Sequence, residues 1–91
     1  MELNFSSVGT IYVAEFKADG PFSLHLELPE VGHLRVRQKS VEAGAYTDVD
    51  DMPIADQFKP VVDRQFTGEV WPIWMQIEVG ARPTMAVVTF A

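Results

Sequence analysis

Polar and apolar residues alternate most strictly over residues 22–28. The apolar positions are Phe22, Leu24, Leu26 and Leu28, and the polar positions between them are Ser23, His25 and Glu27. Successive side chains of a β-strand point to opposite faces of its sheet. This period of two therefore predicts a strand with one buried face.

Less regular alternation predicts further strands over residues 10–16, 34–39, 43–49, 61–66, 70–79 and 84–90. Among these further segments, the strand prediction is strongest for 70–79 and weakest for 43–49. Glycines separate these segments at near-constant steps, at Gly9, Gly20, Gly32, Gly44, Gly68 and Gly80. Turn residues about every 8–12 positions are typical of all-β sandwiches and barrels. Residues 50–60 interrupt the pattern, and we expect one short helical turn there, at 54–59.

These elements predict an all-β fold. The 91 residues are expected to form a single antiparallel β-sandwich domain of about seven strands, spanning residues 1–91 and immunoglobulin-like or jelly-roll-like in architecture. A small β-barrel is the alternative.

Two hairpins follow from matching apolar positions across the turns. In the first, Leu26 lies opposite Val36, and the polar faces then place Glu27 opposite Arg35 and His25 opposite Arg37. In the second, the strands at 70–79 and 84–90 turn between Ala81 and Arg82. That register pairs core with core in the couples Ile77–Ala86, Met75–Val88 and Ile73–Phe90.

The second hairpin leads to the main functional expectation. Trp71 falls on its inner face and is assigned to the core, whereas Trp74 falls on its outer face. The expected neighbours of Trp74 on that outer face are Gln76, Met85, Val87 and Thr89. A hairpin that is largely apolar on both faces must be covered by something. The three candidates are the chain's own second sheet, a neighbouring protein, and a carbohydrate stacked on Trp74. We take these five outer-face residues as the predicted partner-binding set.

Charge and composition exclude several classes. The net charge of −6 argues against nucleic acid or an anionic membrane as a partner, because phosphate binding needs clustered Lys and Arg. No apolar run is long enough for a membrane-spanning helix, and the first residues lack the pattern of a signal peptide. We expect a cytoplasmic protein, or a virion component if the gene belongs to a phage. The absence of cysteine excludes disulfides and thiol chemistry.

Candidate metal and catalytic residues are few. Four acidic residues cluster at Asp48, Asp50, Asp51 and Asp56, and calcium binding there stays open beside a solvated acidic loop. His25 and His33 are the two histidines, and no cysteine completes a zinc site. The nucleophile elbow, the phosphate loop and the dinucleotide fingerprint are all missing. We therefore expect no enzyme activity, no metal and no cofactor.

A basic strip, Arg35, Arg37 and Lys39, occupies one face of the strand at 34–39. Two interpretations remain: an outward polar face paired with Glu27, and a site for an anion or an acidic partner.

Two runs resemble stretches of known proteins. Residues 13–16, Val-Ala-Glu-Phe, and 22–27, Phe-Ser-Leu-His-Leu-Glu, resemble segments of short all-β accessory capsid or tail proteins of tailed bacteriophages. The resemblance covers about the first 40 residues and implies a structural role without catalytic residues. The resulting expectation is an auxiliary or decoration subunit that binds coat subunits, or copies of itself, through an apolar strand face. The alternative is a carbohydrate-binding module with Trp74 as its stacking platform.

Overall fold

A computed structural model describes residues 1–29, 33–49, 61–68 and 70–91, and all of its regular structure is β. The eight strands are β1 (Ser6–Val8), β2 (Ile11–Ala18), β3 (Phe22–Glu27), β4 (Leu34–Lys39), β5 (Thr47–Asp48), β6 (Val61–Phe66), β7 (Ile73–Val79) and β8 (Met85–Phe90).

The strands form two antiparallel sheets. One has five strands in the order β1-β2-β7-β4-β5, and the other has three in the order β6-β3-β8. The free edge of β8 is covered by the first residues of the chain, where Leu3 N donates to Ala86 O (3.0 Å) and Val88 N donates to Met1 O (2.8 Å). The expected all-β sandwich is confirmed.

The core lies between the sheets and is built mainly from the inward rows of β2, β3, β4, β6, β7 and β8. Its largest fully buried side chains are Leu24, Leu26, Met75, Ile77, Val79 and Val88. At one end Phe22 stacks on Phe66 with ring centroids 4.8 Å apart and meets Trp71 edge-on at 6.2 Å. Trp71 packs against the core, as predicted.

Both predicted hairpins are wrong. Strands β3 and β4 lie in different sheets, and so do β7 and β8. Leu26 pairs with Val62 and Ala86, whereas Val36 pairs with Ile77. The physical reason is that both connections cross between the layers. A connection that crosses from one sheet to the other, called an arch, leaves the apolar rows of its two strands facing each other across the core. A hairpin also buries both apolar rows, so matching apolar positions along the sequence cannot distinguish an arch from a hairpin.

Strand boundaries also differ from the expectation. Strand β1 was not predicted, and it joins β2 through a two-residue turn whose first position, Gly9, has a φ of 64°. Glycine adopts this left-handed conformation readily. Strand β5 has only two residues, and β7 begins at Ile73 because Pro72 cannot donate to a ladder. The helical turn expected at 54–59 lies outside the described residues.

Candidate functional site

The outer face of the three-stranded sheet carries exposed apolar side chains, and we call it the apolar face. Its cross-strand rows are Val61–Glu27–Met85, Asp63–His25–Val87 and Gln65–Ser23–Thr89. Val61 is 48% exposed and Met85 46%. An antiparallel sheet that faces water normally presents polar residues there. Six of the nine residues in these rows are polar, and the three apolar ones, Val61, Met85 and Val87, make the face a candidate contact surface.

One histidine lies at the centre of the apolar face. His25 Nδ1 is 3.4 Å from Asp63 Oδ1, and His25 Nε2 is 3.8 Å from Glu27 Oε2. The sequence placed His25 opposite Arg37, but the topology places it between β6 and β8 instead. Both carboxylates are well exposed, at 41% for Glu27 and 76% for Asp63, so they remain available to donors of a partner.

The outer face of the five-stranded sheet is charged, and we call it the charged face. Arg35 does not pair with Glu27 as predicted. It forms a bidentate ion pair with Asp48, in which Nε donates to Oδ1 at 2.7 Å and Nη2 donates to Oδ2 at 3.0 Å. This contact lowers the pKa of Asp48 below its usual value and raises the pKa of Arg35. One arginine of the predicted basic strip is thereby paired with an acidic residue of the adjacent strand β5.

Glu78 joins three positions of the charged face. Its side chain is only 14% exposed, and its carboxylate contacts His33 Nε2 at 2.5 Å and Arg37 Nη2 at 3.2 Å. Arg37 Nε is buried and has no partner among the described residues. These contacts link His33 and β4 to β7, and each oxygen of the Glu78 carboxylate has a partner.

Tyr46 makes a second, separate set of contacts on the charged face. Its hydroxyl donates to Glu15 Oε2 of β2 at 2.7 Å, and its ring lies under the ammonium of Lys39 of β4 at 4.5 Å. Since β7 runs between β2 and β4, the side chain spans the width of that strand. Partial burial raises the pKa of Tyr46 to about 12, and the hydrogen bond to Glu15 is the second cause.

The structure divides the predicted partner-binding set between the two faces. Met85, Val87 and Thr89 share the apolar face, whereas Trp74 and Gln76 lie on the charged face. The premise of one hairpin with two apolar sides is therefore wrong, because β7 and β8 never pair. Trp74 is half-buried between Lys17 and Lys39 of the adjacent strands, and the Lys17 ammonium lies 5.7 Å from its ring centroid.

The roles of Tyr46, Glu78 and His33 were not predicted from the sequence. The alternation of β7 indicates an outward polar row. The residues that contact this row lie on strands that are neighbours of β7 only in the folded sheet, and the sequence does not show the order of the strands. Of the acidic cluster, Asp48 is paired with Arg35, and Asp50, Asp51 and Asp56 lie outside the described residues. Within the described ranges, no three His, Asp or Glu side chains converge as they would to hold a metal ion.

Comparison with known proteins adds no relative: no family model, no curated protein and no solved structure matches this chain. The described part of the chain contains no helix that could span a membrane.

Proposed function

We propose that this protein is a non-catalytic structural subunit that binds neighbouring protein subunits of a larger particle through its apolar face. The particle of a tailed phage is the specific assembly that the resemblance of residues 13–16 and 22–27 suggests. The observation that most directly supports this proposal is the pair of exposed apolar side chains, Val61 and Met85, on either side of Glu27.

Three further observations favour contact through this face. First, the edge of β8 is occupied by residues 1–3, so a partner reaches β8 by its face rather than by strand addition. Second, the Arg35–Asp48 and Arg37–Glu78 pairs of the charged face are already made, and burying satisfied ion pairs costs desolvation with little return. Third, apolar area removed from water contributes about 25 cal/mol per Å², and the apolar face supplies such area.

The required contact area is compatible with one face. A stable interface buries roughly 800 Å² per partner. The chain exposes 5589 Å², so such a contact takes about one-seventh of its surface. The partner must also supply donors for Asp63 and Glu27, because a carboxylate buried without a partner is costly.

The test combines particle analysis with two matched double variants. Met85→Lys with Val87→Lys places two charges on the apolar face, and Val8→Lys with Val41→Lys places two charges at exposed apolar sites elsewhere (56% and 62% exposed). Mass spectrometry of purified phage particles from cells that carry the gene measures incorporation. We expect the wild type and the control variant in the particles, and at least a tenfold loss for the apolar-face variant.

Two results would contradict the proposal. One is the absence of the wild-type chain from purified particles. The other is equal incorporation of the two double variants, after circular dichroism has shown that both are folded.

The carbohydrate alternative at Trp74 has weaker geometric support. The Lys17 ammonium lies over the indole, so a sugar ring must displace it before stacking. In a Trp71→Phe variant, Trp74 is the single indole, and unchanged fluorescence on titration with glycans would dispose of this alternative.

A further inference from the structure

A cleft of about 330 Å³ opens between the two sheets, at the ends of β4 and β6. The five-stranded sheet contributes Gln38, Lys39, Ser40, Thr47 and Ile73, and the other wall and the connection into β7 contribute Phe66, Gly68, Val70 and Trp71. Ligand sites of proteins fall in the range of about 300–1,000 Å³ and combine apolar walls with a few polar groups. The cleft meets both criteria, at the small end of the size range.

Gln38 is the unusual residue of this cleft. It continues the inward row of β4, in which Leu34 and Val36 are 4% and 2% exposed, and it pairs with the fully buried Met75 of β7. Its carboxamide makes no hydrogen bond to a described residue, whereas its backbone oxygen accepts one from Thr47 Oγ1 at 3.2 Å. A polar amide in an otherwise apolar row, opening into a cleft, is a group available to a ligand.

The aromatic wall is rigidly held. Trp71 meets Phe22 edge-on, with centroids 6.2 Å apart and planes at 68°, and Phe66 stacks on the other side of the same cluster. Phe66 and Trp71 both line the cleft, and Phe66 belongs to the buried core against which Trp71 packs. A fixed aromatic surface offers apolar contact without ordering a flexible side chain on binding.

Charge narrows the class of ligand. Among the described lining residues Lys39 alone carries a charge, and its ammonium donates to Glu42 O at 2.7 Å and lies over the Tyr46 ring. What remains for a ligand is one carboxamide, the Ser40 hydroxyl, which can donate and accept, and the Thr47 hydroxyl, which can accept while it donates to Gln38 O. A cationic ligand finds no counter-ion in this set, an anionic one finds only the Lys39 ammonium, which already contacts Glu42 O and the Tyr46 ring, and a wholly apolar one leaves the amide unsatisfied.

We infer that this cleft binds a single neutral sugar ring, with its apolar face on Trp71 and its hydroxyls on the Gln38 carboxamide and the Thr47 hydroxyl. The inference is independent of the assembly proposal, because the cleft and the apolar face share no residue. It moves the sugar-stacking role that the sequence suggested for Trp74 to the other tryptophan.

The experiment titrates the full chain with the methyl glycosides of glucose, mannose and galactose. Tryptophan fluorescence is followed in a Trp74→Phe variant, where Trp71 is the single indole, and NMR follows the Trp71 indole N–H and the Gln38 carboxamide in the wild type. We expect at least one probe to shift both groups with a dissociation constant of about 1 mM.

Two glutamine variants locate the site. Gln38→Leu matches the apolar row of β4 and keeps the fold, and it is expected to weaken binding at least tenfold. Gln65→Leu, on the exposed outer side of β6, is expected to bind as the wild type does.

Three results overturn the inference. In the first, none of the probes shifts Trp71 or Gln38 at concentrations about tenfold above 1 mM. In the second, Gln38→Leu binds as tightly as Gln65→Leu. In the third, a parallel titration with the charged sugars glucosamine and glucuronate shifts these groups whereas the neutral glycosides do not, which would show that the ligand is not neutral.

Discussion

The two outer faces of the sandwich differ in whether their side chains have partners within the molecule. On the charged face, Arg35, Arg37 and Tyr46 all have partners on neighbouring strands or loops. On the apolar face, Met85 and Val61 stand exposed with no counterpart in the described chain. A polar face can therefore find most of its hydrogen-bond partners within one molecule, whereas exposed apolar side chains are stabilised by being covered from outside.

The largest difference that we expect between the faces is in the free energy of unfolding lost when one glutamate is removed from each. Glu78→Ala removes the acceptor of His33 and Arg37, and we expect the free energy of unfolding to fall by about 2 kcal/mol because hydrogen bonds to charged groups are lost from a nearly buried site. Glu27→Ala, whose partner His25 is 3.8 Å away, is expected to cost less than about 0.5 kcal/mol. Urea denaturation at neutral pH measures both. Equal losses would remove the distinction between the faces.

The Arg35–Asp48 pair predicts a specific dependence on pH. Because the folded-state pKa of Asp48 is lowered, its contribution to stability is fully present above the unfolded value of about 3.9. That contribution is lost as the pH falls through the lower folded value. We therefore expect Asp48→Asn to be less stable than the wild type at pH 7 and equally stable at strongly acid pH. A difference that persists in acid would mean that the aspartate acts by shape rather than by charge.

Tyr46 offers a spectroscopic probe of the charged face. In a Tyr12→Phe background, ultraviolet titration should show Tyr46 ionising with a pKa of about 12. Its stabilising effect is complete below the ordinary tyrosine pKa of about 10 and disappears as the pH rises through the folded value. Glu15→Gln should lower this pKa but leave it above about 10, because burial is the larger cause. Circular dichroism at each pH confirms that the protein is still folded.

The smallest expected effect is on the apolar face itself. Met85→Lys should change the free energy of unfolding by no more than about 0.5 kcal/mol, as is usual for exposed positions, because Met85 is 46% exposed and lies outside the buried core. Thermal melting of the two proteins checks this. A loss of several kcal/mol, together with wild-type incorporation into particles, would show that Met85 serves folding rather than contact.

Part of the site was accessible from the sequence, and part was not. The alternation of β8 correctly placed Met85, Val87 and Thr89 on one outward row, and the alternation of β4 separated Leu34 and Val36 from the arginines. These assignments depend only on the period of a strand. The cross-strand partners were predicted wrongly because each depends on which strands are neighbours.

The alternation of residues along the chain was enough to predict that it is all-β, which side chains of each strand share a face, and that its core is built from alternating apolar rows. The folded arrangement was needed to show that the β3–β4 and β7–β8 connections cross between sheets, that Trp74 lies between two lysines, and that Gln38 and Trp71 line one cleft. The physical reason is that side-chain alternation is a local property of the strand. Strand order, by contrast, is selected by the packing of the whole core, for which hairpin and arch offer nearly equal apolar burial.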